Sequence, residues 1–190
     1  MKHKLICAAA LALAFLVHQS AKAQQATQDL KISYGFAPSP AVGAAFWHQL
    51  FGSNGSLRTV GPVGLEYTYH LSDRAALGVS GSYAQITYRE TSGSTSASAV
   101  KRQSKYYTLL PQLQVYLGNK EKLEAYSAVA LGVSYERFTA NQEMDSSERN
   151  WIMAYQVTGM GIRTKARTAF SAEIGYGYKG ILNLGISRRL

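Results

Sequence analysis

The chain of 190 residues carries a formal net charge of +9 and one cysteine, and 46% of its residues are hydrophobic against 16% charged. This length suits one domain, and the apolar content excludes a disordered chain. A single cysteine cannot form an internal disulfide, which excludes a disulfide scaffold. The positive charge alone would suggest a nucleic-acid partner. However, 13 tyrosines and 17 glycines in a charge-poor chain favour a different environment.

The N-terminus has the pattern of a secretory signal. Lys2 and Lys4 precede an apolar run over 5–17, and Ala21-Lys22-Ala23 follows it. This run of 13 residues is shorter than the roughly 20 that span a bilayer, which disfavours a membrane anchor. We therefore predict a signal peptide over 1–23, removed after export through the Sec pathway, and a mature domain over 24–190.

Removing the signal also removes the only cysteine and three lysines. The mature chain then has 17 basic and 11 acidic residues, a balance of +6. An exported chain does not meet cytosolic nucleic acid, so no nucleic-acid partner is expected.

The mature chain alternates apolar and polar residues with a period of two, which predicts β-strands. Within the third segment the alternation weakens after Gln85, which suggests a bulge. The eight predicted strands are about 30–37, 62–71, 75–91, 104–118, 123–138, 150–163, 168–178 and 181–190.

Short and long connectors alternate between these strands. The short turns are 72–74, 119–122 and 164–167, and the long polar loops are 38–61, 92–103 and 140–149. The last connector, near Lys179-Gly180, departs from the rhythm because it is tight. Short turns at one end and longer loops at the other are typical of an even-stranded membrane barrel.

The two faces of the strands indicate which side meets lipid. The polar faces are rich in glycine, serine, alanine and threonine, whereas a soluble exterior would carry far more lysine and glutamate. The apolar faces carry aromatic residues near strand ends, as lipid-interface girdles do. These residues are Tyr34, Tyr69, Tyr107, Tyr135, Trp151, Tyr176 and Tyr178. The predicted fold is an all-β, eight-stranded antiparallel up-and-down transmembrane β-barrel; a soluble secreted β-barrel or sandwich is the alternative.

The signal, the eight alternating segments, the loop rhythm and the terminal strand GILNLGISRRL over 180–190 resemble small bacterial outer-membrane β-barrel proteins. The OmpA transmembrane region and OmpX are the nearest shapes, and the Tyr/Gly-rich strands are similar to the Bacteroidetes outer-membrane β-barrel domain. Such barrels commonly end in an aromatic residue, whereas this chain ends in Leu190. The resemblance implies the outer membrane of a Gram-negative bacterium and a monomer without a cofactor. Its implied partners are outer-membrane lipid, lipopolysaccharide and the barrel-assembly machinery.

Eight strands enclose an interior just wide enough for side chains to fill it. Buried charges are unfavourable unless they are paired. We therefore predict an interior charge network that fills the barrel, with a narrow ion path as the alternative. Its members are Lys31, Glu66, His70, Glu124, Glu136, Glu173 and Arg189, with Arg137 as a further candidate.

The positions of the histidines do not indicate an enzyme. The mature chain has only His48 and His70, and residues 49–52 separate His48 from Ser53-Asn54, unlike the His-x-Ser-Asn arrangement of lipid A deacylases. His70 is expected to face inward on the same face as Glu66. With no cysteine and no close pair of histidines, no catalytic, cofactor or metal site is predicted.

The first loop has the most distinctive sequence. Phe46, Trp47, Leu50 and Phe51 share one face of a predicted short helix that 52–55 would end. This apolar face is predicted to bind a ligand, rest on the headgroups, cap the barrel mouth or pack within its own loop.

Basic residues bracket the apolar belt. Lys101, Arg102 and Lys105 follow the low-complexity segment 91–99 and mark the outer rim, where they could meet lipopolysaccharide phosphates. The opposite rim is marked by Lys120, Lys122, Arg163, Lys165 and Arg167. The sequence thus favours a structural or surface-interaction role through the outer loops. The alternatives are a narrow channel, a carrier of small hydrophobic solutes and a lipid A-modifying enzyme.

Overall fold

A computed structural model describes residues 28–50, 55–90, 100–119, 122–140 and 148–190. The predicted signal peptide and its cleavage site lie outside these residues. Within them, no helix has both the length and the apolar character needed to cross a bilayer.

The strands form one closed antiparallel barrel in which each strand pairs with the next in the chain and the last pairs with the first. This order confirms the predicted eight-stranded up-and-down topology. The elements are β1 (Gln28–Phe36), α1 (Ser39–Leu50), β2 (Gly55–His70), β3 (Ala75–Glu90), β4 (Val100–Asn119), β5 (Leu123–Ala140), β6 (Glu148–Thr164), β7 (Thr168–Gly177) and β8 (Leu182–Arg189).

The apolar side chains face outward. Along β1, Ile32 is 62% exposed, while its neighbours Lys31 and Ser33 are 6% exposed. Alternate strand residues point to opposite faces of a sheet. A barrel with an apolar outside and a polar inside is the arrangement of a transmembrane barrel.

The strands differ greatly in length. β1, β7 and β8 have 9, 10 and 8 residues, whereas β2 to β6 have between 16 and 20. All eight strands meet at the end where β1 begins and β8 ends, here called the terminal end. At the opposite end, here called the loop end, only β2 to β6 continue.

The predicted loop 38–61 is the largest correction to the strand boundaries. It contains α1, and β2 begins at Gly55, not near Pro62. The register of β2 against β3 shifts between Val60 and Val63, opposite Gln85 and Tyr83. An extra residue in β2 interrupts its alternation, which is why the sequence pattern hid the first part of this strand.

Tyr178 does not belong to the outer aromatic belt. Its ring lies 6.3 Å from that of Tyr106, and it packs against the buried cluster of Leu110, Ala130 and Ala154. β7 ends at Gly177, which has a φ of 145°, so the chain turns inward there. A Cβ on this glycine would lie 2.2 Å from the carbonyl oxygen of Tyr155, so only glycine fits without a shift.

Candidate functional site: the charged interior of the barrel

Four charged side chains meet in the middle of the barrel; we call them the central cluster. They are Lys31, Glu66, Glu173 and Lys179, each with a side chain at most 7% exposed. Lys31 Nζ lies 3.0 Å from Glu66 and 2.5 Å from Glu173. Lys179 Nζ lies 2.7 Å from Glu66 and 3.4 Å from Glu173. Two cations and two anions give a neutral cluster, as buried charges require.

The strand order explains how Lys31 reaches both carboxylates. Glu66 is its register partner on β2, whereas Glu173 lies on β7, beyond β8. β8 presents Gly185 at this crossing, where a Cβ would lie 3.1 Å from Lys31 Cδ. The missing side chain therefore leaves the space through which the lysine stem passes.

The second lysine comes from the tight connection between β7 and β8. Lys179 is 5% exposed, because this connection folds over the interior. Its backbone N–H donates to Gln156 Oε1 at 2.8 Å, and its carbonyl accepts from Asn183 Nδ2 at 3.1 Å. Gly180, with a φ of 101°, completes the turn. The turn is thus anchored on both sides and directs a lysine into the barrel.

Neutral donors complete the coordination of the two carboxylates. Gln114 Nε2 donates to Glu66 at 2.9 Å, and the Tyr126 hydroxyl donates to Glu173 at 2.7 Å. The Thr68 hydroxyl also donates to Glu66, at 3.5 Å. Each carboxylate therefore has two lysines and at least one neutral donor. Such extra hydrogen bonds are what a buried ion pair needs to be tolerated.

A second group, the terminal cluster, lies nearer the termini around Asp29. Arg163 donates to both carboxylate oxygens of Asp29, with Nη2 at 2.8 Å from Oδ1 and Nη1 on Oδ2. His70 Nε2 lies 2.7 Å from Asp29 Oδ2. Arg189 links Asp29 to Glu124: its Nε lies 3.6 Å from Asp29, and its Nη2 lies 3.7 Å from Glu124. Two arginines and two carboxylates again balance.

The structure divides the predicted network. Lys31, Glu66 and Glu173 lie in the central cluster, and His70, Glu124 and Arg189 lie in the terminal cluster. Glu136 lies apart: it accepts a hydrogen bond from the Tyr106 hydroxyl at 2.7 Å. Among the described residues it has no cation within 4 Å.

Two arginines lie elsewhere than the sequence suggested. Arg137 is exposed on the outward face, because it follows the inward-facing Glu136 and strand residues alternate. Arg163, expected at the rim, is 6% exposed inside the barrel.

Three network members lie outside the interior set that the sequence predicts. Asp29 precedes the predicted start of β1, Arg163 belongs to a predicted rim, and Lys179 belongs to a predicted connector. The signal that could have found Lys179 is its position between Gly177 and Gly180, which favours a sharp inward turn.

The interior leaves little free space at these clusters. A cavity of about 20 Å³ lies among side chains that include Asp29, Lys31 and Glu66. This is room for about one water molecule. Nearer the loop end, the interior is also filled: Leu110, which lies between Gln114 and Tyr106 along β4, is fully buried.

The remaining predicted sites are only partly visible. Phe46 on α1 is 62% exposed. The side chains of Trp47, His48 and Leu50, and all of Phe51, lie outside the described residues. No group of three histidine, cysteine, aspartate or glutamate residues in the described part of the chain is arranged to hold a metal ion.

The family model described as outer membrane protein beta-barrel domain matches residues 7–185. This match confirms the family resemblance inferred from the sequence. A search of curated proteins finds no significant match.

Similar solved structures include two barrels. The N-terminal β-barrel domain of Pseudomonas aeruginosa OprF is 14% identical, with a TM-score of 0.46, over 87% of this chain and 100% of that one. The attachment invasion locus protein Ail of Yersinia pestis, solved with the heparin analogue sucrose octasulfate, is 16% identical, with a TM-score of 0.42, over 87% and 96%.

Proposed function

This chain belongs to the outer membrane protein β-barrel domain family, and from that premise we propose a non-conducting, non-enzymatic barrel that acts through its loop-end surface. The observation that carries the proposal is the ion-paired interior. A permeating ion would have to pass four charges that already satisfy one another. The cavity beside two of them, Lys31 and Glu66, has a volume of only about 20 Å³. An interior of this kind supports a structural role.

The surroundings of His70 favour a structural histidine. Its Nε2 contacts Asp29, and its ring stacks on Tyr116 with centroids 5.3 Å apart and planes 22° apart. Within the described residues no serine or threonine hydroxyl is hydrogen-bonded to it, as activation of a nucleophile would need. A lipid A-modifying activity is therefore not part of the proposal.

The lengths of the connections indicate which end of the barrel would face outward in the membrane. Outer-membrane barrels have short turns on the periplasmic side and longer loops outside, so the loop end would face the outside of the cell. There, Phe46, Trp47 and Leu50 of α1 and the following Phe51 would be an outer-loop contact, next to outer-membrane lipid and lipopolysaccharide. We further propose Sec export, insertion by the barrel-assembly machinery and a monomeric state in a Gram-negative bacterium.

Conductance in planar lipid bilayers tests the non-conducting interior. The refolded full chain, with insertion verified by its heat-modifiable gel mobility, should give no steady current at any voltage. A porin inserted into the same bilayers is the positive control. Steady single-channel steps from the unmodified protein would overturn the proposal in favour of the narrow channel.

Thiol labelling of intact cells tests the orientation. Ser56→Cys places a thiol on the loop end of β2, and Asp73→Cys places one in the turn at the terminal end; both positions are exposed. A membrane-impermeant maleimide should label Ser56→Cys in intact cells and Asp73→Cys only after lysis. The reverse labelling pattern would show that the barrel has the opposite orientation in the membrane.

A further inference from the structure

Two rows of side chains lie on the outward face of the barrel, one directly above the other: an aromatic row across β3 to β6 and a cationic row across β4 to β6. The aromatic row is formed by the register partners Tyr83, Tyr107, Tyr135 and Trp151. The cationic row lies two residues nearer the loop end. It is formed by the register partners Lys105, Arg137 and Arg149. The two rows are separated by about 7 Å along the strands.

The aromatic row is continuous. Ring centroids are 5.2 Å apart between Tyr83 and Tyr107, 6.4 Å between Tyr107 and Tyr135, and 5.3 Å between Tyr135 and Trp151. Trp151 is 73% exposed on the apolar outside of the barrel. Tyrosine and tryptophan concentrate where a membrane meets water. The row therefore marks the headgroup level on this side of the barrel.

The cationic row is a cluster of like charges. Arg137 lies directly opposite Lys105 on one side and Arg149 on the other, and adjacent like charges on paired strands are destabilising. Neighbouring strands are about 4.8 Å apart, so three cations occupy a row about 10 Å long. Among the side chains that the structure describes, which do not include those of Glu90 and Glu148, no carboxylate lies within 4 Å of any of the three. The row thus has an unmet preference for anions.

We propose that the cationic row binds the phosphates of outer-leaflet lipid headgroups. The partner is a membrane lipid whose headgroup carries phosphate, held with its acyl chains along the apolar wall below. Three features support this choice: the side chains point away from the lumen, they stand directly above the aromatic row, and guanidinium groups bind phosphate with two parallel hydrogen bonds. The proposal rests on the orientation given under Proposed function.

Binding of lipid A to the refolded full chain in detergent micelles tests the cationic row. The probe is fluorescently labelled bisphosphorylated lipid A, compared with the same lipid after removal of its phosphates. The unmodified protein should prefer the phosphorylated lipid. The triple variant Lys105→Gln, Arg137→Gln and Arg149→Gln should bind it at least about tenfold more weakly, with unchanged binding of the dephosphorylated lipid.

A matched variant controls for net charge. Arg74→Gln, Lys122→Gln and Arg167→Gln remove the same charge from exposed positions at the terminal end, and binding should stay within about twofold. A further variant, Arg137→Lys with Arg149→Lys, keeps the charge but loses two-point phosphate contact, so its affinity should fall between the other two. Heat-modifiable mobility of each variant shows that the barrel has folded.

Three results would overturn the proposal. The first is equal affinity for the phosphorylated and dephosphorylated lipids. The second is an equal loss of binding in the two triple variants. The third is tighter binding of soluble inorganic polyphosphate than of lipid A, which would assign the row to a soluble anion. None of these depends on conductance or on thiol labelling, so a failure of this inference is distinguishable from a failure of the proposed function.

Discussion

The barrel has two regions built on different principles. At the terminal end, eight strands close around charged side chains that are almost fully buried. At the loop end, β3 and β4 continue beyond Tyr83 and Tyr107 through residues 84–90 and 100–106. Their outward side chains include Lys105, which has no ion-pair partner among the side chains that the structure describes. In the first region the charged side chains are buried and paired with one another, whereas in the second they point away from the lumen.

Mutations in the first region should therefore change stability, whereas mutations in the second should change binding. Removing one partner of a buried ion pair leaves an uncompensated charge, which typically lowers stability by about 3–5 kcal/mol. Removing an exposed charge usually changes stability by less than about 0.5 kcal/mol. We expect the two regions to separate cleanly in a stability assay.

The largest effect is expected for Lys31→Met. This change leaves Glu66 and Glu173 with one lysine between them, so the free energy of unfolding should fall by about 3–5 kcal/mol. Urea unfolding of the refolded barrel in detergent micelles measures it. The control is Arg149→Met, which removes an exposed cation at the loop end and should change stability by less than about 0.5 kcal/mol.

The double variant Lys31→Met with Glu173→Gln keeps this prediction testable if the single variant fails to fold. Restoring neutrality should recover part of the lost stability, and the coupling between the two sites follows from the double-mutant cycle. Additive losses would contradict a coupled central cluster.

A smaller effect is expected for Gly177→Ala at the turn that delivers Lys179. An added Cβ would meet the Tyr155 carbonyl oxygen at 2.2 Å, at a φ of 145° that side chains rarely adopt. The strain should lower stability by about 1–3 kcal/mol. Gly81→Ala is the control, since a Cβ there meets nothing within 4 Å. Equal stability of the two variants in the same urea assay would show that the turn is not under this constraint.

Much of the fold followed from the sequence because alternation is a local signal. The strand count, the up-and-down order and the outward apolar face depend only on a period of two. The first part of β2 did not follow, because the shift between Val60 and Val63 breaks that period.

The interior was harder to predict, because its contacts join distant parts of the chain. Arg163 and Asp29 are 134 residues apart in sequence, and Lys179 and Glu66 are 113 apart. Alternation indicates that a residue faces inward but not which partner it meets. Lys179 lies in a turn, where alternation has no meaning, so its role follows only from the turn geometry.

The smallest effect is expected for Glu136→Gln, which examines the boundary between the two regions. Glu136 faces inward like Glu66 but is only half-buried, and its described partner is the Tyr106 hydroxyl at 2.7 Å. A glutamine keeps an acceptor for that hydroxyl and leaves no lysine unpaired, so stability should change by less than about 1 kcal/mol. Glu66→Gln, at the same kind of inward position, should instead lower it by about 3 kcal/mol or more. If the two substitutions lowered the free energy of unfolding equally, burial of charge would not be what distinguishes the terminal end of the barrel from the loop end.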